Sequence, residues 1–279
     1  FSIENLPGAE KLFQRWESNI KRLGGNTPIF EARLAELGLT RENAPEYLAR
    51  TPAAPVEEPP RWGTFLEELL SKAPDPNSPH RSISRDDYTK MERDQLAYSI
   101  ERFPIFPTFC APFCDVAERW LQKRLGNETN IQMLTPTFRY LTLRLSWFAG
   151  RALALFLKNN STGGGLKGET PEARYQYFEQ EIANGIDTMG WFLEQFPVLA
   201  RLLCTASVNW VDALVEMLTR FESDRNTLKE TFLENTDPGE IRTVYNGLSD
   251  AHYGGHTVAI LEFTSGDRIV YKPRAAAVD

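Results

Sequence analysis

Apolar residues recur at helical spacing through most of this chain, and then the period changes. Between residues 9 and 234 the spacing is close to 3.6; after Asp237-Pro-Gly239 it falls toward two. That switch predicts an α+β fold, with a mostly helical body over 1–239 and a small antiparallel β-meander over 240–279. Helices are expected over 9–23, 29–37, 41–49 (capped by Thr40), 62–72 and 86–101. Further helices are expected over 113–125, 136–159, 171–184, 186–195, 197–223 and 225–234. Thr170 and Pro171 supply an N-cap and a first-turn proline for one of them. The meander reads as a strand at 241–245, a loop over 247–255 and a strand over 256–263. A turn over 264–267, with Gly266 at positive φ, then leads to a return strand over 268–272, stopped by Pro273.

The breaks are as informative as the periods. Thr51 to Pro60 holds four prolines and reads as a stiff surface connector, too short to force a domain boundary. Ala73 to Pro79 is a second breaker, and Gly163-Gly-Gly165 sits in a flexible loop. The aromatic, proline-rich run Phe103 to Phe113 has two readings, a peptide-binding surface or packing between helices, and packing is favoured because such rings bury large areas. No internal repeat of fixed period is visible, which argues against a helical solenoid.

Composition narrows the function. Acidic residues outnumber basic ones 38 to 31, giving a net charge of −7, so bulk charge gives no grip on nucleic acid. The apolar stretch Leu141 to Leu157 is interrupted by Arg144 and Arg151 and reads as a buried helix, so no membrane span is expected. Three cysteines cannot all pair, and the chain shows no charged start followed by an apolar core. Both points lead to the expectation of a cytoplasmic, reducing location. Cys110 and Cys114 lack neighbouring histidines for zinc and read as small core side chains.

The meander carries the chemistry. A strand, a glycine loop, a second strand, a tight turn and a third strand ending in lysine follow the order of a kinase-type nucleotide lobe. Glycine amides approach phosphates closely because no Cβ intervenes. Strand alternation sets Val270 and Lys272 on one face, with Ile269 and Tyr271 on the other. Val270 would then floor an adenine while Lys272 reaches the phosphates. Asp250 lies in the loop, and His252 and His256 flank Gly254-Gly255, adding groups for proton or phosphate contact. The plainer reading is a common hairpin with a terminal lysine and solvated loop histidines. His80 is the one histidine of the helical body, which leaves that body to peptide recognition or lobe support.

Asp250-Ala-His-Tyr-Gly-Gly255, then Val258, Leu261, Phe263, Gly266 and Val270-Tyr-Lys-Pro-Arg274, resembles the dehydratase domain of class II lanthipeptide synthetases. Leu166 to Tyr175, Phe196 to Leu203, Trp210 and Arg220 to Asp224 look like the same family. The resemblance implies an enzyme that phosphorylates Ser and Thr of a ribosomally made precursor peptide with ATP and Mg²⁺. It then eliminates the phosphate to leave dehydroalanine or dehydrobutyrine. By that resemblance the fold is similar to lipid kinases. By the same resemblance Lys272 would be the phosphate-binding lysine, Asp250, His252, Gly254 and Gly255 would belong to the phosphate loop, and Arg274 would support it.

The resemblance also implies that metal-binding and catalytic Asp motifs, and a zinc cyclase domain, lie in sequence after Asp279. The chain is then expected to be an amino-terminal portion that is inactive alone. Its meander is expected to be poorly stabilised, with Val258, Ile260 and Val270 short of a partner layer. Two rival readings remain: a helical peptide-binding module, and part of an unrelated kinase-like phosphotransferase.

Overall fold

The chain divides at Pro59 and Pro60 into two units, within the proline-rich connector. The computed structural model describes residues 6–22, 25–49, 58–81, 106–126, 129–162, 166–182 and 185–273. The helix expected over 86–101 lies outside the described residues, as does Arg274.

In the first unit, α1 (Leu6–Arg22), α2 (Thr27–Glu36) and α3 (Ala44–Ala49) close on Phe13, Phe30, Leu34 and Ala44. Asn26 caps α2, its side chain accepting from the Ile29 amide at 3.0 Å. Thr40 caps α3 as expected: its Oγ1 accepts from the Asn43 amide at 3.3 Å, its own amide donates to Asn43 Oδ1 at 2.7 Å, and its carbonyl accepts from the Ala44 amide at 2.9 Å. Residues 41–43 form the entering turn, and the regular helix runs from Ala44. Arg41 bonds Glu17 at 2.6 Å and Glu31 at 3.2 Å, and its bond to Glu17, with a second from Lys21, draws the half-buried Glu17 carboxyl down to about 2.

The second unit is built from α4 (Arg61–Ser71), α5 (Pro107–Leu125), α6 (Thr135–Thr162), α7 (Pro171–Tyr177), α8 (Ile186–Gln195) and α9 (Pro197–Phe232). Thr170 caps α7 as expected, accepting from the Ala173 amide at 3.1 Å. The segment after Tyr177 winds as a π-turn over Phe178–Ile182 instead of continuing as α-helix. Two other boundaries differ from the sequence reading. α5 begins at Pro107, not 113, because the helix accommodates Pro112 in its second turn. α9 is one helix of 36 residues, where two were expected. The stretch Glu222 to Arg225, where the break was expected, contains neither Pro nor Gly, and the helix runs through it.

The aromatic run is core. Phe106, Phe109 and Phe113 are buried, with Phe109 packed edge-on against Phe192 at 5.2 Å. A peptide-binding surface made of these rings is thereby excluded for the described part of the run. Cys110 and Cys114 sit one turn apart in the same core, and burial pushes the Cys114 thiol up to about 12. The Leu141 to Leu157 stretch buries Leu141, Leu145, Ala149, Leu153 and Phe156, a helical stripe. By length and composition alone, α9 is the helix apolar enough to cross a membrane among the described residues, yet half of its most apolar stretch is buried within this unit. Leu203, Cys204, Trp210, Leu214 and Phe221 carry that burial.

His80 joins this packing. Its ring lies 4.4 Å from the Phe138 ring, and its Nε2 is 2.8 Å from Glu118. With a side chain only 11% exposed, it braces the segment after α4 against α5 and α6. Replacing it with alanine is expected to cost about 2 kcal/mol of stability, through the lost ring packing and the lost bond to Glu118 Oε2. A calorimetric midpoint equal to wild type would refute the bracing role.

The sheet follows as β1 (Ile241–Tyr245), β2 (Ala259–Phe263) and β3 (Arg268–Tyr271), in the order β1-β2-β3 and antiparallel throughout. β2 starts at 259 rather than 256 because His256 to Val258 belong to the loop. Gly266 has φ +94 and closes the hairpin, its amide donating to the Phe263 carbonyl at 3.0 Å. The expectation that the meander lacks support holds for one face only. Val244, Ala259, Leu261 and Phe263 point inward and are fully part of the unit's core, with Phe263 against Phe221 at 5.4 Å. Val270, at 55% exposure, marks the open face. On that face Glu262 is only 2% exposed because Arg242 and Arg268 close over it from the two neighbouring strands.

Candidate functional site

Register decides which residues share an end of the sheet. Tyr245 pairs with Ile260, and Tyr271 pairs with Ala259. The loop 246–258 therefore leaves and re-enters the sheet at the end where β3 finishes and Lys272 follows. Lys272 is exposed, and alternation along β3 puts it on the outer face with Val270, while Ile269 and Tyr271 pack inward. The sequence expectation for these four residues holds.

The loop is folded on itself. The Gly247 amide donates to Thr257 Oγ1 at 2.8 Å, and the Leu248 amide to the Val258 carbonyl at 3.2 Å. Nearer the tip, the His252 amide donates to the His256 carbonyl and the Gly255 amide to the His252 carbonyl, both at 2.9 Å. These bonds need the chain to reverse sharply, and Gly254 and Gly255 do so at φ +73 and +82.

Helices hold this loop from below. A Cβ on Gly247 would sit 2.3 Å from the Tyr140 ring of α6, and one on Gly255 would sit 3.3 Å from Asn209 of α9. The space saved by these two glycines is thus filled by the protein itself. Burial of Tyr140 raises its hydroxyl above the ordinary value; the positive charge of Arg144 opposes the rise and the carboxylate of Asp250 adds to it. His256 turns toward α9, its Nε2 3.5 Å from Glu216. Asp250 and His252 are exposed on the other side of the loop.

Topology therefore gathers Asp250, His252, Gly254, Gly255 and Lys272 at one end of the sheet. His256 is set apart from His252, facing the helix instead of solvent. Tyr140, Arg144, Asn209, Glu216 and Arg220 were not expected at the site. They lie 30 to 120 residues upstream, and only the packing of α6 and α9 under the loop reveals them. Among the described residues no group of three or more His, Cys, Asp or Glu converges on one point.

Comparison with known proteins covers this part of the chain. Residues 196–279, which include α9, the whole sheet and the loop, match a family model described as a domain of unknown function, DUF4135. Over 131 residues, 47% of the chain, the sequence is 28% identical to the lacticin 481/lactococcin biosynthesis protein LcnDR2 of Lactococcus lactis subsp. lactis. The match spans 14% of that protein's length. The chain is thus similar, over about half of its own length, to a lacticin 481/lactococcin biosynthesis protein of which it spans only a small part.

Proposed function

We propose that this chain contributes the phosphate-binding loop and lysine of an ATP-dependent enzyme that dehydrates Ser and Thr in a ribosomally made precursor peptide. The observation that carries the reading is the strand register, which brings exposed Lys272 to the end of the sheet where the Gly254-Gly255 loop turns. Two consecutive glycines at positive φ, with Asp250 and His252 exposed beside them, fit a phosphate-bearing ligand. ATP, when bound, supplies the phosphoryl group that converts a side-chain hydroxyl into a good leaving group. Lys272 neutralises phosphate charge, and Val270 offers an apolar outer-face surface beside it. Asp250 and His252 are placed to accept or deliver a proton at the loop. In the elimination, a base removes the α-proton, the C–H electrons form the C=C bond, and the C–O bond breaks with phosphate leaving.

The relative's name, a lacticin and lactococcin biosynthesis protein, supports a peptide substrate. The location in a reducing cytoplasm remains part of the proposal. Mass spectrometry of a candidate precursor peptide incubated with the full-length protein, ATP and Mg²⁺ tests it: the expected product has lost one water per modified residue. With His252→Ala, a phosphorylated peptide would mark failed elimination and an unmodified one failed phosphorylation. Full dehydration at the wild-type rate would remove His252 from the mechanism. Wild-type protein that leaves authentic precursor peptide unmodified would overturn the reading.

A further inference from the structure

One face of α9 touches the meander at three successive levels. Asn209, Glu216 and Arg220 are spaced seven and four residues apart, so they form a stripe along the helix. That stripe is about 16 Å long at 1.5 Å per residue. At its first level Gly255 lies against Asn209, where an added Cβ would come within 3.3 Å. At the second, Glu216 Oε2 faces His256 Nε2 at 3.5 Å. At the third, Arg220 Nη1 donates to the Tyr271 hydroxyl at 3.2 Å. Glu216 and Arg220 are themselves joined at 2.5 Å, so the second and third levels form one continuous polar chain.

The two ends of that chain belong to different parts of the candidate site. His256 follows the glycine pair directly, and its ring stands 3.4 Å from where a Cβ of Gly254 would project. Tyr271 directly precedes Lys272, and its inward position fixes the last residue of β3. We infer that Glu216 and Arg220 are positioning residues, which set the separation between the glycine loop and Lys272 by holding both against a single rigid helix. The inference rests on the phosphate-site reading for its consequence, but the clamp itself is independent of ligand. A covalent path from Gly255 to Lys272 runs through a whole β-hairpin, whereas the path through α9 crosses four side chains. Hydrogen bonds and ion pairs of this kind hold geometry more than they add stability, because Glu216 and Arg220 are substantially exposed.

The test uses Tyr271→Phe, which removes only the hydroxyl, together with Glu216→Gln, Arg220→Met and Lys272→Met in the full-length protein. Hydrogen exchange without nucleotide reads the clamp directly. Glu216→Gln is expected to speed exchange over 252–258, and Tyr271→Phe over 269–272, by about 3- to 10-fold, the worth of one hydrogen bond. Exchange in α6 should stay at the wild-type rate. Unchanged exchange in both segments would overturn the clamp, whatever the enzyme does.

Steady-state kinetics then read the consequence. Each clamp variant should raise KM for ATP by about 3- to 10-fold with KM for the peptide unchanged, and Arg220→Met with Tyr271→Phe should be no worse than Arg220→Met alone. If Lys272→Met lowers activity steeply while the clamp variants leave KM for ATP at the wild-type value, the positioning role is wrong and the phosphate site stands. If Lys272→Met acts at the wild-type rate, the phosphate-site reading fails, and the exchange result alone decides the clamp.

Discussion

Replacing Lys272 with methionine in the full-length protein is expected to slow peptide phosphorylation about 100- to 1000-fold, the usual cost of removing one preorganised charge from a transition state. Methionine keeps an apolar stem of similar length and deletes the ammonium group. Lys272 is exposed and follows the last strand, so its loss leaves the core untouched. The thermal midpoint should therefore move by no more than about 1 °C, in line with exposed substitutions. A matched pair of measurements is needed: single-turnover phosphorylation of the peptide, and calorimetry on the same preparation. Slow chemistry with an intact midpoint supports a phosphate contact. Slow chemistry with a collapsed midpoint would assign Lys272 to structure, and wild-type chemistry would leave the hairpin without a nucleotide role.

The second large effect is one of stability. Phe263 is fully buried at the end of β2, with its ring 5.4 Å from Phe221 of α9. Truncation to alanine removes the anchor that seats the sheet on the longest helix, and is expected to cost about 3–5 kcal/mol. For a unit of this size that corresponds to a fall of about 6–20 °C in Tm. Val270→Thr, on the open face of the same sheet, should cost less than about 0.5 kcal/mol. Calorimetry of the two variants separates an inner face that is integral to the core from an outer face that is not. A Phe263→Ala loss below about 1 kcal/mol would mean that the meander is only loosely attached.

Hydrogen exchange on the wild type adds a comparison. Strands β1 and β2 should exchange about as slowly as α6, because Val244, Leu261 and Phe263 are buried in the same core as Leu141 and Leu145. The sequence reading expects this meander to be poorly stabilised and therefore to exchange fast. Alternation identifies two faces without saying which one meets a helix, and only the position of α9 settles that.

The same division applies across the chain. Local rules were sufficient where one residue type forces one backbone geometry. Thr170 with Pro171 fixed a helix start, Gly266 a hairpin turn, and Pro273 a strand end, each through a steric or hydrogen-bonding demand that acts within a few residues. Period alone gave the change from helices to an antiparallel meander, and the pattern Asp250 to Arg274 located the candidate site. Local rules failed where burial overrides propensity. Pro112 lies inside α5 because the surrounding aromatic core holds that turn, and α9 runs unbroken where two helices were expected. The partners of the glycine loop were beyond the sequence for a different reason. Gly247 meets Tyr140, His256 meets Glu216 and Tyr271 meets Arg220 across separations of 40 to 107 residues, and no periodicity encodes contacts between elements that pack only after each has formed. The sequence by itself determined most of the elements and singled out the candidate site residues. The tertiary structure decided which helix supports them, because that choice is made by the fit of buried side chains between elements distant along the chain.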